Sequence, residues 1–208
     1  SIKIYLYKMA KTKITINVPT NWDDITIKNY QKFLKVAKNK NEIEMLSVLC
    51  NVSLKVIKKI KVKDRIMIIK KMNTFINEKP SEELQNIIEF KGKEYGFIPN
   101  FSKLTTGEFV DLESYMKNSN ESLHYIMSIL YRPITIRKGK FYNIEPYNPN
   151  LETAEKFLDL PMTCVLSAFN FFFHLGKNLL AIMNNYSKKE MIKATNKEQY
   201  KASGVGIT

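Results

Sequence analysis

Two stretches of this chain are faintly similar to each other. Ile87 to Glu108 and Ile134 to Glu155 align without gaps at an offset of 47 residues. The identities are Ile87/Ile134, Lys91/Lys138, Gly92/Gly139, Lys93/Lys140, Tyr95/Tyr142, Pro99/Pro146, Leu104/Leu151, Thr106/Thr153 and Glu108/Glu155. A repeat limits the possible folds because one string has to satisfy similar local geometry in two places. Each copy reads as a hairpin followed by a helix. Ile87 to Phe90 and Glu94 to Ile98 flank Lys91-Gly92-Lys93, while Ile134 to Arg137 and Phe141 to Ile144 flank Lys138-Gly139-Lys140. Glycine at the turn supplies the positive φ that short hairpins need. Pro99 and Pro146 close the second strands, since proline has no N–H to give a ladder. Thr105 and Glu108 then have the spacing of a capping box. Two copies fall short of the three or more that a solenoid requires, so a duplicated hairpin-plus-helix-pair module is expected instead.

Periodicity places further elements around this module. Lys13-Ile14-Thr15-Ile16-Asn17-Val18 alternates as a half-buried strand does and stops at Pro19. Trp22 to Thr26 reads as a loop, and Thr26 caps a helix with Tyr30, Phe33, Leu34 and Ala37 on its apolar stripe, ending near Asn39. Short helices are expected from Glu42 to Leu49, from Ser53 to Ile60, and from an Asp64 cap to Ile76. Within the module, helices run from Thr106 to Lys117 and Glu121 to Tyr131, with Asn118-Ser119-Asn120 as the turn. After the second hairpin come a short helix from Thr153 to Leu158 and a long one from Pro161 to about Tyr186. The expected class is mainly α with short β-hairpins, α+β. The organisation is a basic strand-plus-helical region at 1–79, the module with its long apolar helix at 80–187, and a polar tail at 188–208. Pro80-Ser81-Glu82-Glu83 is the expected linker, because the charge balance changes sign there.

With 208 residues, 44% of them hydrophobic, the chain can bury a substantial core. Cys50 and Cys164 stand alone, which indicates neither a disulfide framework nor a zinc knuckle and fits a reducing interior. The opening Ser1 to Lys8 is too short and too charged for a signal peptide, and processing after an initiator Met-Ser is the simplest account. A second possible start at Met9-Ala10-Lys11 would make the first eight residues an extension of the ordered domain.

The net charge of +13 is unevenly spread: +12 over residues 1–80, −3 over 81–160 and +4 over 161–208. Lys55, Lys58, Lys59, Lys61, Lys63, Arg65, Lys70 and Lys71 form the densest cluster, opposed only by Asp64. It is the candidate polyanion contact; the plainer alternative is a solvated face beside Leu54, Ile57, Ile60, Ile66 and Ile69. Only three cations are arginines, which argues against sequence-specific readout. Lys91, Lys93, Lys138 and Lys140 have no phosphate-loop glycine spacing and read first as solvated turns.

Catalytic signals are weak. His124 and His174 lie on different helices without matched neighbours, and the Glu108/Asp111 and Glu152/Glu155 pairs sit at helix N-termini, where acids favourably oppose the macrodipole. No catalytic, cofactor-binding or metal-ligating residue is therefore assigned, and no cofactor is expected. The uncharged run between Asp159 and Lys177 contains Asn170 and His174 and is 17 residues long, short for a bilayer span. The long helix is either the central core helix or a docking helix. For docking, the candidates are Phe169, Phe171, Phe172, Phe173, Leu180 and Met183.

Several strings carry a resemblance: Tyr95-Gly96-Phe97-Ile98-Pro99-Asn100-Phe101 with Leu104, Gly107-Glu108-Phe109 and Asp111-Leu112-Glu113; Ile129-Leu130-Tyr131-Arg132-Pro133-Ile134; Tyr142-Asn143-Ile144-Glu145-Pro146-Tyr147; and Leu158-Asp159-Leu160-Pro161-Met162. Over residues 95 to 180 the chain resembles small virion or assembly proteins of tailed bacteriophages, particularly crAss-like phages of Bacteroidota. That resemblance implies a non-enzymatic structural or assembly protein, made in the bacterial host cytoplasm and located in the virion. It would work through interfaces with other virion proteins in the head, connector or tail, in an oligomeric or multi-copy form. Two alternatives stand beside it: a virion protein contacting packaged DNA non-specifically, and a tail-assembly chaperone absent from the mature particle.

Overall fold

The computed structural model describes residues 1–7, 13–78 and 83–171. In chain order these form β1 (Ile2–Tyr7), β2 (Lys13–Val18), α1 (Ile27–Ala37), α2 (Glu42–Leu49), α3 (Leu54–Ile57), α4 (Val62–Ile76), β3 (Ile87–Phe90) and β4 (Lys93–Phe97). There follow α5 (Thr106–Met116), α6 (Ser119–Leu130), β5 (Tyr131–Lys138), β6 (Phe141–Ile144) and α7 (Leu151–Lys156), with 3₁₀ turns at Trp22–Asp24, Phe101–Lys103 and Phe157–Asp159. Residues 162–171 form an eighth helix, α8. The class is α+β, as expected. Ser1–Ser167 make one compact unit and Ala168–Thr208 another, the second described only at 168–171.

Side chains that accept orphan N–H groups set the helix starts. Thr26 accepts from Asn29 at the head of α1, as its position in the sequence suggests. Asn41 caps α2 and Asn150 caps α7, each accepting from two backbone amides. Several expected boundaries move. α4 begins at Val62 with Asp64 inside its first turn, α6 already includes Ser119, and α7 starts at Leu151 and stops at Lys156. Ser53 stands at the cap position of α3 but its side chain makes no capping bond, and α3 ends at Ile57 instead of reaching Ile60. The expected turn at Trp22 is a 3₁₀ turn held by Asn21, whose side chain accepts from Asp24.

β1 was not expected. It pairs antiparallel with β2 along its whole length, from Ile2 opposite Val18 to Tyr7 opposite Lys13. The other sheet is an antiparallel meander in the order β3-β4-β5-β6. Both repeated hairpins form, with different turns. In the first, Lys91 and Gly92 both have positive φ, 50° and 72°, the pattern of a type I′ loop. In the second, the two loop residues are Gly139 and Lys140, and only Gly139 is positive, at 60°, the pattern of type II′. The repeated glycine thus serves one conformational need from two turn positions. β5 also starts three residues earlier than expected, because Tyr131 follows α6 directly and pairs with Phe97.

α6 is the centre of the packing. Leu123, Ile126, Met127, Ile129 and Leu130 are buried, and the helix packs against α1, α5, α7 and the Phe157–Asp159 turn. At its end, Tyr131 is fully buried and its hydroxyl donates to the Gln85 carbonyl at 2.7 Å. The early and late parts of the first unit are joined by backbone bonds: Ile27 N to Leu160 O at 3.0 Å and Met162 N to Ile25 O at 2.8 Å. These satisfy groups that flank helix starts and would otherwise be buried unpaired.

β6 also crosses back over β4. The Tyr142 ring lies where a side chain on residue 96 would be, and its hydroxyl shares its one proton between the carbonyls of Phe97 at 2.8 Å and Asn86 at 3.0 Å. A Cβ added to Gly96 would sit 2.3 Å from that ring. Gly96→Ala should therefore displace Tyr142 and cost about 1–3 kcal/mol. Urea unfolding monitored by circular dichroism checks this, with Gly107→Ala, whose Cβ meets nothing within 4 Å, as the mild comparison.

Candidate functional site

Among the described residues, a buried ion pair lies where α5 meets β5. Glu108 is 3% exposed, and its two oxygens have separate duties. Oε2 accepts from the backbone N–H of Thr105 at 2.6 Å, while the Thr105 hydroxyl accepts from the Glu108 N–H, completing the capping box foreseen in the sequence. Oε1 accepts from Arg132 Nη1 at 2.7 Å. The Arg132 and Glu108 side chains are 13% and 4% exposed, and Arg132 Nε–H finds no acceptor among the described residues. Asp111, which shares the helix face of Glu108, accepts from the Tyr147 hydroxyl at 2.7 Å. Burial first, and then the neighbouring Asp111 carboxylate, pushes the Tyr147 phenol well above its ordinary range. The two carboxylates that spacing offered as a pair are thus both engaged in holding α5 to other elements.

Arg132 also lines a cleft of about 410 Å³ between the Ile98–Leu104 segment and β6. Lys103, Asn100, Asn143 and Ile144 face the same space. A second cleft, about 500 Å³, meets the first at Pro99 and Asn143 and continues along the β5–β6 hairpin past Ile136, Lys138, Lys140 and Phe141. None of the described residues lining either cleft is Asp or Glu. Phe141 is 83% exposed and Ile136 57%, so the hairpin carries bare apolar side chains on either side of its two lysines. Arg137, on the same hairpin, is paired with Glu94.

The turn lysines part company here. Lys91 Nζ lies 2.6 Å from Asp159 Oδ2 and also donates to the Lys156 carbonyl, so it ties the first hairpin to the end of α7. Lys138 and Lys140 line the second cleft instead.

The basic cluster lies on α3, α4 and the turn between them. Lys55, Lys58, Lys59, Lys61, Lys63 and Lys70 are exposed, Lys71 is half-buried, and Arg65 is half-buried with its Nε 3.4 Å from Glu42. α4 buries Ile68, Met72 and Phe75, leaving Val62, Ile66 and Ile76 exposed on a separate stripe that Lys63 and Lys70 border. α5 likewise exposes Phe109, Val110 and Met116. These surfaces were missed in the sequence, although α4 contains more apolar positions than one buried stripe can absorb. Of the docking candidates on the last helix, Phe169 and Phe171 are half-buried, and Phe172, Phe173, Leu180 and Met183 lie outside the described residues.

His124 is buried on α6, with Gln31 Nε2 3.4 Å from its Nδ1, and burial lowers its pKa. His174 lies outside the described residues. Cys50 and Cys164 are buried free thiols, and desolvation raises each to about 11, which keeps them protonated at neutral pH. Among the described residues no three His, Cys, Asp or Glu side chains are grouped to hold a metal ion, and no helix is long and apolar enough to cross a membrane. No protein-family model, curated protein or solved structure matches the chain.

Replacing Glu108 should be costly, because it leaves a buried guanidinium unpaired and removes a helix cap. Glu108→Ala is expected to lose about 3–5 kcal/mol of stability. Combining it with Arg132→Met should recover part of that loss, and a double-mutant cycle in urea measures the coupling.

Proposed function

We propose that the chain is a non-enzymatic structural or assembly protein of a tailed-bacteriophage particle, acting through protein–protein interfaces. The observation that carries this reading is exposed apolar surface on three separate elements: α4, α5 and the β5–β6 hairpin. Single exposed apolar residues are ordinary, but grouped ones bordered by charge mark association surfaces. Val62, Ile66 and Ile76 on α4, and Phe109, Val110 and Met116 on α5, are such groups. The phage context rests on the resemblance of residues 95 to 180. Mass spectrometry of purified particles is expected to find the protein at stoichiometric copy number. Its presence in infected lysate together with absence from particles would instead identify an assembly chaperone.

The basic face supports a second reading, in which α3 and α4 lie against packaged DNA. Six exposed lysines within residues 55–70 supply the positive field that non-specific phosphate binding requires. Under this reading duplex binding weakens steeply with salt. Replacing Lys58, Lys59 and Lys61 by alanine then reduces the slope of log K against log salt by about 0.9 for each phosphate that is no longer neutralised. Salt-independent or absent binding in a fluorescence anisotropy titration eliminates it.

A further inference from the structure

The two clefts form one groove, and its chemistry selects an occupant. β6 is the last strand of its sheet among the described residues, so its outer edge presents backbone donors and acceptors without a neighbouring strand. The groove runs beside that strand, since Phe141, Tyr142, Asn143 and Ile144 all line it. The opposite wall comes from Pro99, Asn100 and Leu104. Its charged lining carries Lys103 and the Glu108-paired Arg132 in one half, and Lys138 and Lys140 in the other. Apolar residues lie among these charges, and the most exposed of them is Phe141.

We propose that this groove binds an extended acidic segment of a partner protein, added as a strand along β6. Main-chain bonds to the edge would supply affinity, and pockets for alternate side chains would supply selectivity. Carboxylates of the segment meet Lys103, Lys138 and Lys140, while apolar side chains pack against Phe141 on the face that Lys138 shares and against Ile144 on the other. The same lysines exclude the obvious competitor. Two β6 edges from separate copies would bring like charges together, which disfavours self-pairing. A nucleic acid could satisfy the cations but has no amide ladder to offer the strand edge. The proposal rests on the interface reading given above and names the kind of partner that interface takes.

The test uses the full chain, a library of short random displayed peptides and, separately, a labelled oligothymidylate. Selection should enrich peptides that combine Asp or Glu with apolar residues. A synthetic peptide of the enriched pattern should protect the Phe141–Ile144 amides from hydrogen exchange. Lys138→Glu with Lys140→Glu, at exposed positions, should weaken that peptide by about tenfold or more while leaving the unfolding midpoint near the parent value. Enrichment without acids, no enrichment, or equal binding by the double variant overturns the proposal. Oligothymidylate binding that the double variant loses, without any peptide binding, overturns it in favour of nucleic acid. Failed selection by a protein that mass spectrometry still finds in particles removes strand addition alone. Successful selection by a protein missing from particles supports the groove assignment and removes the virion reading.

Discussion

One carboxylate connects the helical and β parts of the module. Glu108 divides its two oxygens between the amide of Thr105 and the guanidinium of Arg132, so the start of α5 and the start of β5 are fixed by one side chain. In a nearly dry site such an arrangement tolerates little rearrangement, because either partner left alone would be a buried charge. Arg132 in turn forms part of the groove wall, which ties the position of the Ile98–Leu104 segment to the same pair. Asp111, on the same helix face, receives the Tyr147 hydroxyl.

Local signals were legible where one residue type has one physical use. Thr26, and Thr105 with Glu108, were readable as caps because short oxygen-bearing side chains at those spacings satisfy helix N–H groups. The two glycine turns were readable because positive φ is costly for other residues. The offset of 47 therefore located both hairpins. It did not reveal that their turns differ, since I′ and II′ loops both accept glycine and are distinguished by which central residue takes it. Nor did it foresee that Glu108 is buried while its repeat counterpart Glu155 is exposed. That difference comes from Arg132, a partner 24 residues away.

Long-range pairing was the main thing hidden. β1 needed β2 to complete it: Ile2, Ile4 and Leu6 alternate with Lys3, Tyr5 and Tyr7, but six residues do not by themselves say which strand they pair with. The apolar surface of α4 was hidden for a related reason. Composition showed enough isoleucine and methionine for a core helix, but only the packing decides that Ile68, Met72 and Phe75 go inside and Val62, Ile66 and Ile76 stay outside. The groove beside β6 was equally invisible, because its walls come from segments about 40 residues apart that meet only after the meander closes.

The direct passage from α6 into β5 has a mechanical consequence. Leu130 ends the helix and Tyr131 begins the strand, with no loop residue between them to absorb rotation. Tyr131 is anchored through its hydroxyl, and the Leu130 carbonyl accepts from Ile98 N–H at 2.9 Å. A pull on the exposed hairpin therefore travels along β5 into α6, and from there to α1 and α7, which pack against it. The hairpin and the central helix behave as one lever, and force applied at the tip is delivered to the middle of the core.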